Sequence, residues 1–307
     1  MIILRRIPSS LIEYVNNNIR YPVGIVGCRA TNPEISFECC EYDIAIFDRQ
    51  YEGNRFILLG NHGLELIAQN EISAMNMLNL YNMIPIQDDD SFIVRSSVNN
   101  VITFQNYLKL LRRFGKKSII NSLFSHGKVT KNICNNSVLA GMWLKIAAYG
   151  FLEGTLALSG IKPMPTHELN QIRMITTECQ DVADGIMTAL ECIGLERATR
   201  STISRCIEGI CELNSMEYDK ELIRIKVNYL LKKGMMSDCY YYLGKMGSRC
   251  LIDKDDRFLS TYIKLIQISM DLTNDMQQLE RLQSSLVKIS KSILKKLSYY
   301  YSGCNRL

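Results

Sequence analysis

The spacing of the apolar residues changes near residue 98, and this change constrains the fold more than any other feature of the sequence. Before it, the apolar residues form short runs of β-forming residues separated by glycine, proline and asparagine, as is typical of strands. After it, they recur at steps of three and four residues, which indicates amphipathic helices. The sequence therefore predicts an α+β protein, with a small mixed sheet and flanking helices in residues 1–100 and a larger all-α helical domain in residues 101–307.

The first hundred residues predict the order α-β-β-β-β-α-β. Pro22 ends a first helix that begins at Ser9. The sequence Asn61-His62-Gly63 favours a hairpin between two of the strands. The predicted strands are residues 23–26, 42–47, 56–59, 64–68 and 92–94, and the second helix is 74–81.

The remaining residues predict helices joined by short loops. Glycines at positions 115, 127, 160, 194 and 234 suggest helix ends. The predicted helices are 98–113, 117–125, 136–159, 167–193, 197–213, 217–233, 236–247, 256–272 and 276–299. The most apolar stretch, 138–161, contains Lys145 and Glu153, so it predicts a core helix and no membrane span.

Three further features bear on the cellular setting and on the use of aromatic residues. The eleven cysteines include no C-x-x-C pair, and no basic-then-apolar segment opens the chain. We expect reduced thiols and a cytoplasmic protein. The two tyrosine triplets favour mixed core and surface positions, with base stacking as the alternative; they are residues 240–242 and 299–301.

Charge is divided unevenly along the chain. Residues 1–100 contain seven arginines, no lysine and twelve acidic residues, for a net charge of −5. The remaining residues carry a net charge of +10. The sharper interpretation is an acidic, metal-binding part beside a basic part that receives a phosphate-bearing partner, and the alternative is two solvated domains.

Glu41 and Asp43 are the first candidate site residues. They are two residues apart at the start of the apolar run that ends at Phe47, so in a strand both side chains project from one face. Two carboxylates held side by side repel each other unless a divalent cation lies between them. The pair therefore predicts a metal site.

Gly27, Cys28 and Arg29 are the second group. Gly27 follows a predicted strand and allows close approach of the backbone to a ligand. Free backbone N–H groups in a turn that starts at Cys28 could hold phosphate oxygens, and Arg29 adds a positive charge. A phosphate-holding turn followed by a metal-holding strand suits nucleotidyl transfer.

This arrangement resembles the DNA polymerase β-like nucleotidyltransferase superfamily, in particular its minimal, kanamycin-nucleotidyltransferase-like members. Gly27-Cys28-Arg29-Ala30 is similar to the Gly-Ser-Arg-Ala of minimal members, and Glu41-x-Asp43 follows after the expected spacer. The resemblance covers about residues 10–95. The C-terminal part resembles the second domain of the family only in being helical. It implies a third carboxylate on a neighbouring strand, for which Glu65 is the best-placed candidate.

The resemblance implies transfer of a nucleoside monophosphate from a nucleoside triphosphate (NTP) to a hydroxyl group. Glu41, Asp43 and Glu65 would bind Mg²⁺ or Mn²⁺, and Gly27, Cys28 and Arg29 would bind the NTP. The helical part would select the acceptor, which could be RNA, a protein side chain or a small molecule. Its basic cluster could hold a triphosphate or an RNA backbone, or could be a solvated helix end; the cluster consists of Arg112, Arg113, Lys116 and Lys117.

Two positions depart from the family's pattern. Cys28 stands where Ser or Gly is usual, and Glu41 stands where Asp is usual. These departures keep open a catalytically inactive protein of the same fold that binds nucleic acid or protein. A third alternative is an unrelated α+β interaction protein.

Overall fold

The computed structural model describes residues 7–30, 39–47, 55–60, 62–69, 78–79, 81–88, 104–175, 180–214 and 217–303. The chain forms two compact units, Met1–Leu110 and Leu111–Leu307. The division falls inside the helix Phe104–Asn132. The first unit contains a mixed five-stranded sheet and the second is largely helical, so the predicted α+β class is confirmed.

The sheet of the first unit follows helix α1, Ser9–Asn18. Its strands are β1 (Val23–Val26), β2 (Glu41–Ile46), β3 (Arg55–Leu59), β4 (His62–Ala68) and β5 (Ile84–Gln87). Their order in the sheet is β3-β4-β2-β1-β5. Strands β2 and β4 are parallel, and the other neighbouring pairs are antiparallel.

Four of the predicted strands are present, each within two residues of its predicted ends. The predicted hairpin is also present, because Leu59 pairs with His62; its turn includes Gly60, at a positive φ of 59°, and Asn61 lies outside the described residues. Strand β5 was not predicted, because Pro85 interrupts its short apolar run. Proline is tolerated there since β5 lies at an edge of the sheet. Most of the predicted helix 74–81 and all of the predicted strand 92–94 lie outside the described residues.

Alternation along the strands gives the sheet two different faces. On one face, Tyr42, Ile44 and Ile46 of β2 pack with Leu11 and Val15 of α1 in an apolar core. The other residues of β2, which include Glu41 and Asp43, project from the opposite face. Burial of Tyr42, Ile44 and Ile46 against α1 therefore determines that the two acidic side chains project from the other face.

The second unit is built from helices, the first of which begins in the first unit. In chain order they are α2 (Phe104–Asn132), α3 (Ser137–Leu158), α4 (Glu168–Met174), α5 (Gln180–Ile193), α6 (Arg200–Leu213), α7 (Glu217–Lys232), α8 (Met236–Leu251), α9 (Asp256–Thr261), α10 (Ile263–Ser269) and α11 (Met276–Gly303).

The prediction that Gly115 and Gly127 end helices was wrong, since α2 continues through both. Gly115 serves a different purpose. A Cβ atom there would lie 2.8 Å from the carbonyl oxygen of Gly154, so the two glycines allow α2 and α3 to approach closely. Gly160, Gly194 and Gly234 have positive φ angles and follow helices, as predicted.

Two predicted helices are each divided in the structure. Residues 167–193 form α4 and α5, and residues 176–179 between them lie outside the described residues. Residues 256–272 form α9 and α10, which are separated at Tyr262. Side-chain periodicity continues across both breaks, so the sequence did not reveal them.

Helix α3 lies at the centre of the second unit, as predicted for a core helix. Trp143 and Tyr149 are buried in the same core. Tyr240, Tyr241 and Tyr242 on α8 are all buried and so take the core positions of the predicted mixture, while the side chains of Tyr299, Tyr300 and Tyr301 lie outside the described residues. No helix among the described residues combines the length and apolar character needed to cross a bilayer.

Lys145 lies within this core. Its Nζ atom donates hydrogen bonds to the carbonyl oxygen of Met270, at 2.7 Å, and to the hydroxyl of Tyr240, at 3.1 Å. Burial lowers the pKa of Lys145 to about 7, because the ammonium ion loses its hydration. These bonds join α3 to α8 and to the end of α10.

A second buried group joins α3, α4 and α8. Nζ of Lys245 lies 3.1 Å from Oε1 of Glu168 and 3.2 Å from Oε1 of Glu153. The Tyr241 hydroxyl donates a hydrogen bond of 2.7 Å to Glu168. Burial raises the pKa of Glu168 above its usual range, although Lys245 opposes the shift. A buried carboxylate needs such partners because an uncompensated charge in a core is strongly destabilising.

His126 of α2 lines a groove against α11. The residue is only 2% exposed, and neither ring nitrogen has a hydrogen-bond partner among the described residues. Gln283 of α11 donates instead to the backbone carbonyl of His126, at 3.1 Å. Burial lowers the pKa of His126 to about 4, because the charged imidazolium is disfavoured in this position.

The pKa of His126 predicts a dependence of stability on pH. Between pH 6.5 and 4 the unfolded chain binds a proton at this position and the folded protein does not, so the free energy of unfolding falls as pH falls. The variant His126→Gln cannot bind that proton. We expect wild type to lose roughly 3 kcal/mol more than the variant over this interval. Urea denaturation of both proteins across the interval tests this, and parallel pH profiles would contradict it.

Candidate metal and nucleotide site

Glu41, Asp43 and Glu65 come together on the sheet face opposite α1. Strands β2 and β4 are parallel and in a register that pairs Asp43 directly with Glu65. Glu41 lies two residues before Asp43 and so projects from the same face. One oxygen from each of the three carboxylates lies within 4.8 Å of the other two. The structure thus brings together all three candidate metal ligands.

Glu41 is the most buried of the three acids, with 3% of its surface exposed. Its partner across the sheet is Gly63. A Cβ atom on Gly63 would lie 3.2 Å from Cβ of Glu41 and 2.5 Å from the ring of Phe56. The glycine of the hairpin sequence therefore leaves space in which the Glu41 side chain can pack against the sheet.

Gly27 is in close contact with Asp43. The antiparallel pairing of β1 with β2 puts Val26 opposite Asp43, and Gly27 begins a 3-10 turn that ends at Ala30. The φ angle of Gly27 is +73°, and a Cβ atom on it would lie only 1.7 Å from Oδ2 of Asp43. Glycine is required at this position for both reasons.

Cys28 follows Gly27 and is buried. Hydrogen bonding with Cys39, burial, and the negative charges of Asp43 and Glu41 raise the pKa of its thiol above the usual range. The thiol is therefore neutral near pH 7. The structure consequently puts Cys28 next to the acidic group, while any phosphate contact from its backbone remains a prediction.

Arg29 is engaged in contacts that the sequence did not indicate. Its guanidinium donates a hydrogen bond to the carbonyl oxygen of Cys39 and lies 4.8 Å from the ring centre of Tyr42. Tyr42 belongs to the core on the α1 face, opposite the carboxylates. The observed role of Arg29 is to hold the chain at Cys39 against the sheet, and its predicted role in binding a triphosphate remains a prediction.

The acidic group suits a hard divalent cation. Mg²⁺ binds oxygen ligands at about 2.1 Å, so two ligands of one ion can be up to about 4.2 Å apart. The observed limit of 4.8 Å is close enough for small side-chain rotations to complete the coordination. Carboxylates on adjacent strands are also well fixed, because backbone pairing limits their movement.

The predicted basic cluster lies on α2. Arg112, Arg113, Lys116 and Lys117 are all exposed, so their side chains are available to a phosphate-bearing partner. Exposure is equally expected for a solvated helix surface. Both interpretations of the cluster therefore remain.

Two cysteines near the acidic group were not among the predicted site residues. Cys39 is buried, and the Cys40 thiol donates a hydrogen bond to Oε2 of Glu41. The available signal was the sequence Cys39-Cys40-Glu41 itself, in which two thiols directly precede a candidate metal ligand.

In comparisons with known proteins, no family model and no curated protein matches the chain. Any assignment of function therefore rests on the residues and geometry described above.

The contact between Gly27 and Asp43 can be tested against a matched glycine. Gly60 also has a positive φ, but a Cβ atom there would meet no atom of the described residues within 4 Å. We expect Gly60→Ala to lower the free energy of unfolding by about 1 kcal/mol, the cost of alanine in the left-handed region. Gly27→Ala should cost a further 1–3 kcal/mol, roughly the range for a forced steric overlap. Denaturant titration measures both, and equal losses would contradict the proposed contact.

Proposed function

We propose that the chain is a divalent-metal-dependent nucleotidyltransferase that transfers a nucleoside monophosphate from an NTP to a hydroxyl group. The observation that carries this proposal is the convergence of Glu41, Asp43 and Glu65 on one sheet face, with Gly27 packed against Asp43. The resemblance of Gly27-Cys28-Arg29-Ala30 and Glu41-x-Asp43 to the DNA polymerase β-like superfamily supports the same activity.

In the proposed mechanism, Glu41, Asp43 and Glu65 hold Mg²⁺ or Mn²⁺. When bound, the metal offsets the charge of the triphosphate and lowers the pKa of the attacking hydroxyl. Asp43 is at the centre of the group, since it pairs with Glu65 and follows Glu41 by two residues.

The turn after β1 supplies the second part of the mechanism. Gly27 has no side chain, which leaves room for the Asp43 carboxylate against the turn. Backbone N–H groups of the same turn would then bind the triphosphate oxygens. The neutral Cys28 thiol adds no negative charge to this region. The exposed basic cluster on α2 offers positive charge for an acceptor such as RNA, and a protein or small-molecule acceptor would need other contacts.

Asp43→Asn tests the proposed activity. The substitution keeps the size of the side chain but removes one negative charge from the metal ligands. We expect Mg²⁺-dependent transfer of labelled nucleotide to fall by at least about 100-fold, since even outer partners of metal ligands contribute up to that factor. The assay uses all four NTPs with RNA, protein and small-molecule acceptors, in Mg²⁺ or Mn²⁺.

Glu13→Gln is the matched control, because Glu13 is an exposed acid on α1 in the same unit. It should retain full activity. Equal activity of Asp43→Asn and wild type would show that Asp43 does not hold the metal. If wild type shows neither transfer nor Mg²⁺-dependent NTP binding, the non-catalytic alternative replaces the proposal.

A further inference from the structure

Three of the cysteines gather beside the acidic group. The ligand atoms of Cys39, Cys40 and Glu41 lie within 4.8 Å of one another, and Sγ of Cys28 lies within 4.8 Å of Sγ of Cys39. Cys39 is common to both contacts. Cys39, Cys40 and Glu41 therefore offer two sulfur atoms and one carboxylate oxygen in a small volume, and Cys28 lies beside Cys39.

We infer that Cys39, Cys40 and Glu41 form a binding site for a thiophilic divalent cation, with Zn²⁺ as the best-fitting ion. Cys28 is close to Cys39 alone, so a movement of its side chain toward Cys40 and Glu41 would supply the fourth ligand. Zn²⁺ binds four ligands in a tetrahedron, with Zn–S distances of about 2.3 Å, which puts two sulfur ligands about 3.8 Å apart. That separation is within the observed limit of 4.8 Å. Cysteine sulfur is a soft ligand that favours Zn²⁺ over Mg²⁺.

The backbone around the group is fixed on both sides. The carbonyl oxygen of Cys40 accepts a hydrogen bond of 3.0 Å from the N–H of Gly63, which extends the pairing of β2 with β4 by one residue. Arg29 holds the carbonyl oxygen of Cys39. Cys39 and Cys40 are thus attached to the sheet, and Cys28 lies two residues after the end of β1.

Burial alone does not account for this grouping. Cys192, Cys206, Cys211 and Cys239 are buried in the helical unit, as expected of cysteines that act as small apolar side chains. In the part of the chain that the structure describes, none of these four belongs to a group of three metal-ligand side chains. The cysteines beside Glu41 differ from them in having further ligand atoms within reach.

The proposed thiol site shares Glu41 with the acidic group. A Zn²⁺ ion that takes the Glu41 oxygen would remove a ligand from the group proposed to hold Mg²⁺. Each thiol that binds as a thiolate would release one proton to the buffer. The thiol site does not depend on nucleotidyl transfer, because its ligands and its contacts are defined without an NTP.

Co²⁺ titration of the full-length, reduced and metal-depleted protein tests this site. Tetrahedral Co²⁺ with thiolate ligands has intense sulfur-to-metal absorption, whereas Co²⁺ bound by carboxylates alone does not. We expect one equivalent of Co²⁺ to produce this absorption, one equivalent of Zn²⁺ to abolish it, and excess Mg²⁺ to leave it unchanged. Absence of the thiolate absorption in wild type would overturn the inference.

Substitutions identify the ligands. Cys39→Ser should weaken Zn²⁺ binding by at least about 100-fold and abolish the thiolate absorption, because Cys39 lies at the centre of the group. Cys134→Ser should change neither, since Cys134 is an exposed free thiol in the helical unit. Cys40→Ser, at a half-buried position, provides a second variant in case Cys39→Ser does not fold, as judged by circular dichroism. Unchanged binding in the folded variant would overturn the assignment.

Asp43→Asn separates this inference from the proposed function. It should keep the Co²⁺–thiolate absorption, because Asp43 is not among the sulfur-site ligands, while it suppresses nucleotidyl transfer. Loss of the absorption in folded Asp43→Asn would show that the two groups form a single site and would overturn the inference. Lack of transfer in wild type with the absorption present would refute only the proposed function.

Discussion

The register of β2 between its two neighbours is the constraint on which the candidate site depends. Pairing with β4 sets Glu65 beside Asp43, and pairing with β1 brings Gly27 against the same carboxylate. A shift of one residue would exchange the two faces of the strand and turn Tyr42 and Ile44 out of the core. The burial of apolar side chains on the α1 face therefore determines where the acids lie on the other.

Much of the fold followed from local pattern. The strand after Pro22, the hairpin and the central buried helix were predicted because each depends on residues that are close in sequence. The errors have a common origin in tertiary contact. Gly115 permits close contact with Gly154 instead of ending a helix, and the strand that contains Pro85 forms by pairing with β1 at the edge of the described sheet. The local sequence reveals neither the contact of Gly115 with Gly154 nor the pairing of β5 with β1.

The difference between what local sequence pattern predicts and what tertiary contact decides also applies to the candidate site. Strand parity was sufficient to predict that Glu41 and Asp43 share a face, and the hairpin made Glu65 a candidate. The parallel pairing of β2 with β4 was not predictable, because it depends on the path that the chain takes from β2 through β3 to β4. The neighbours of Cys28 and Arg29 were also missed. Both residues contact Cys39, eleven and ten residues away, and spacing alone does not reveal such a contact.

The buried charges of the helical unit make its parts mutually dependent. A fragment that stops before Met236 would contain Glu168 in the core without Lys245, and Lys145 without its acceptors on Tyr240 and Met270. An unpaired charge in such a position destabilises a protein by several kcal/mol. Residues of α3 and α4 thus require partners about 70 to 125 positions later in the chain. Nascent chains and truncated expression products that lack these partners should be substrates for chaperones and proteases until α8 and α10 are complete.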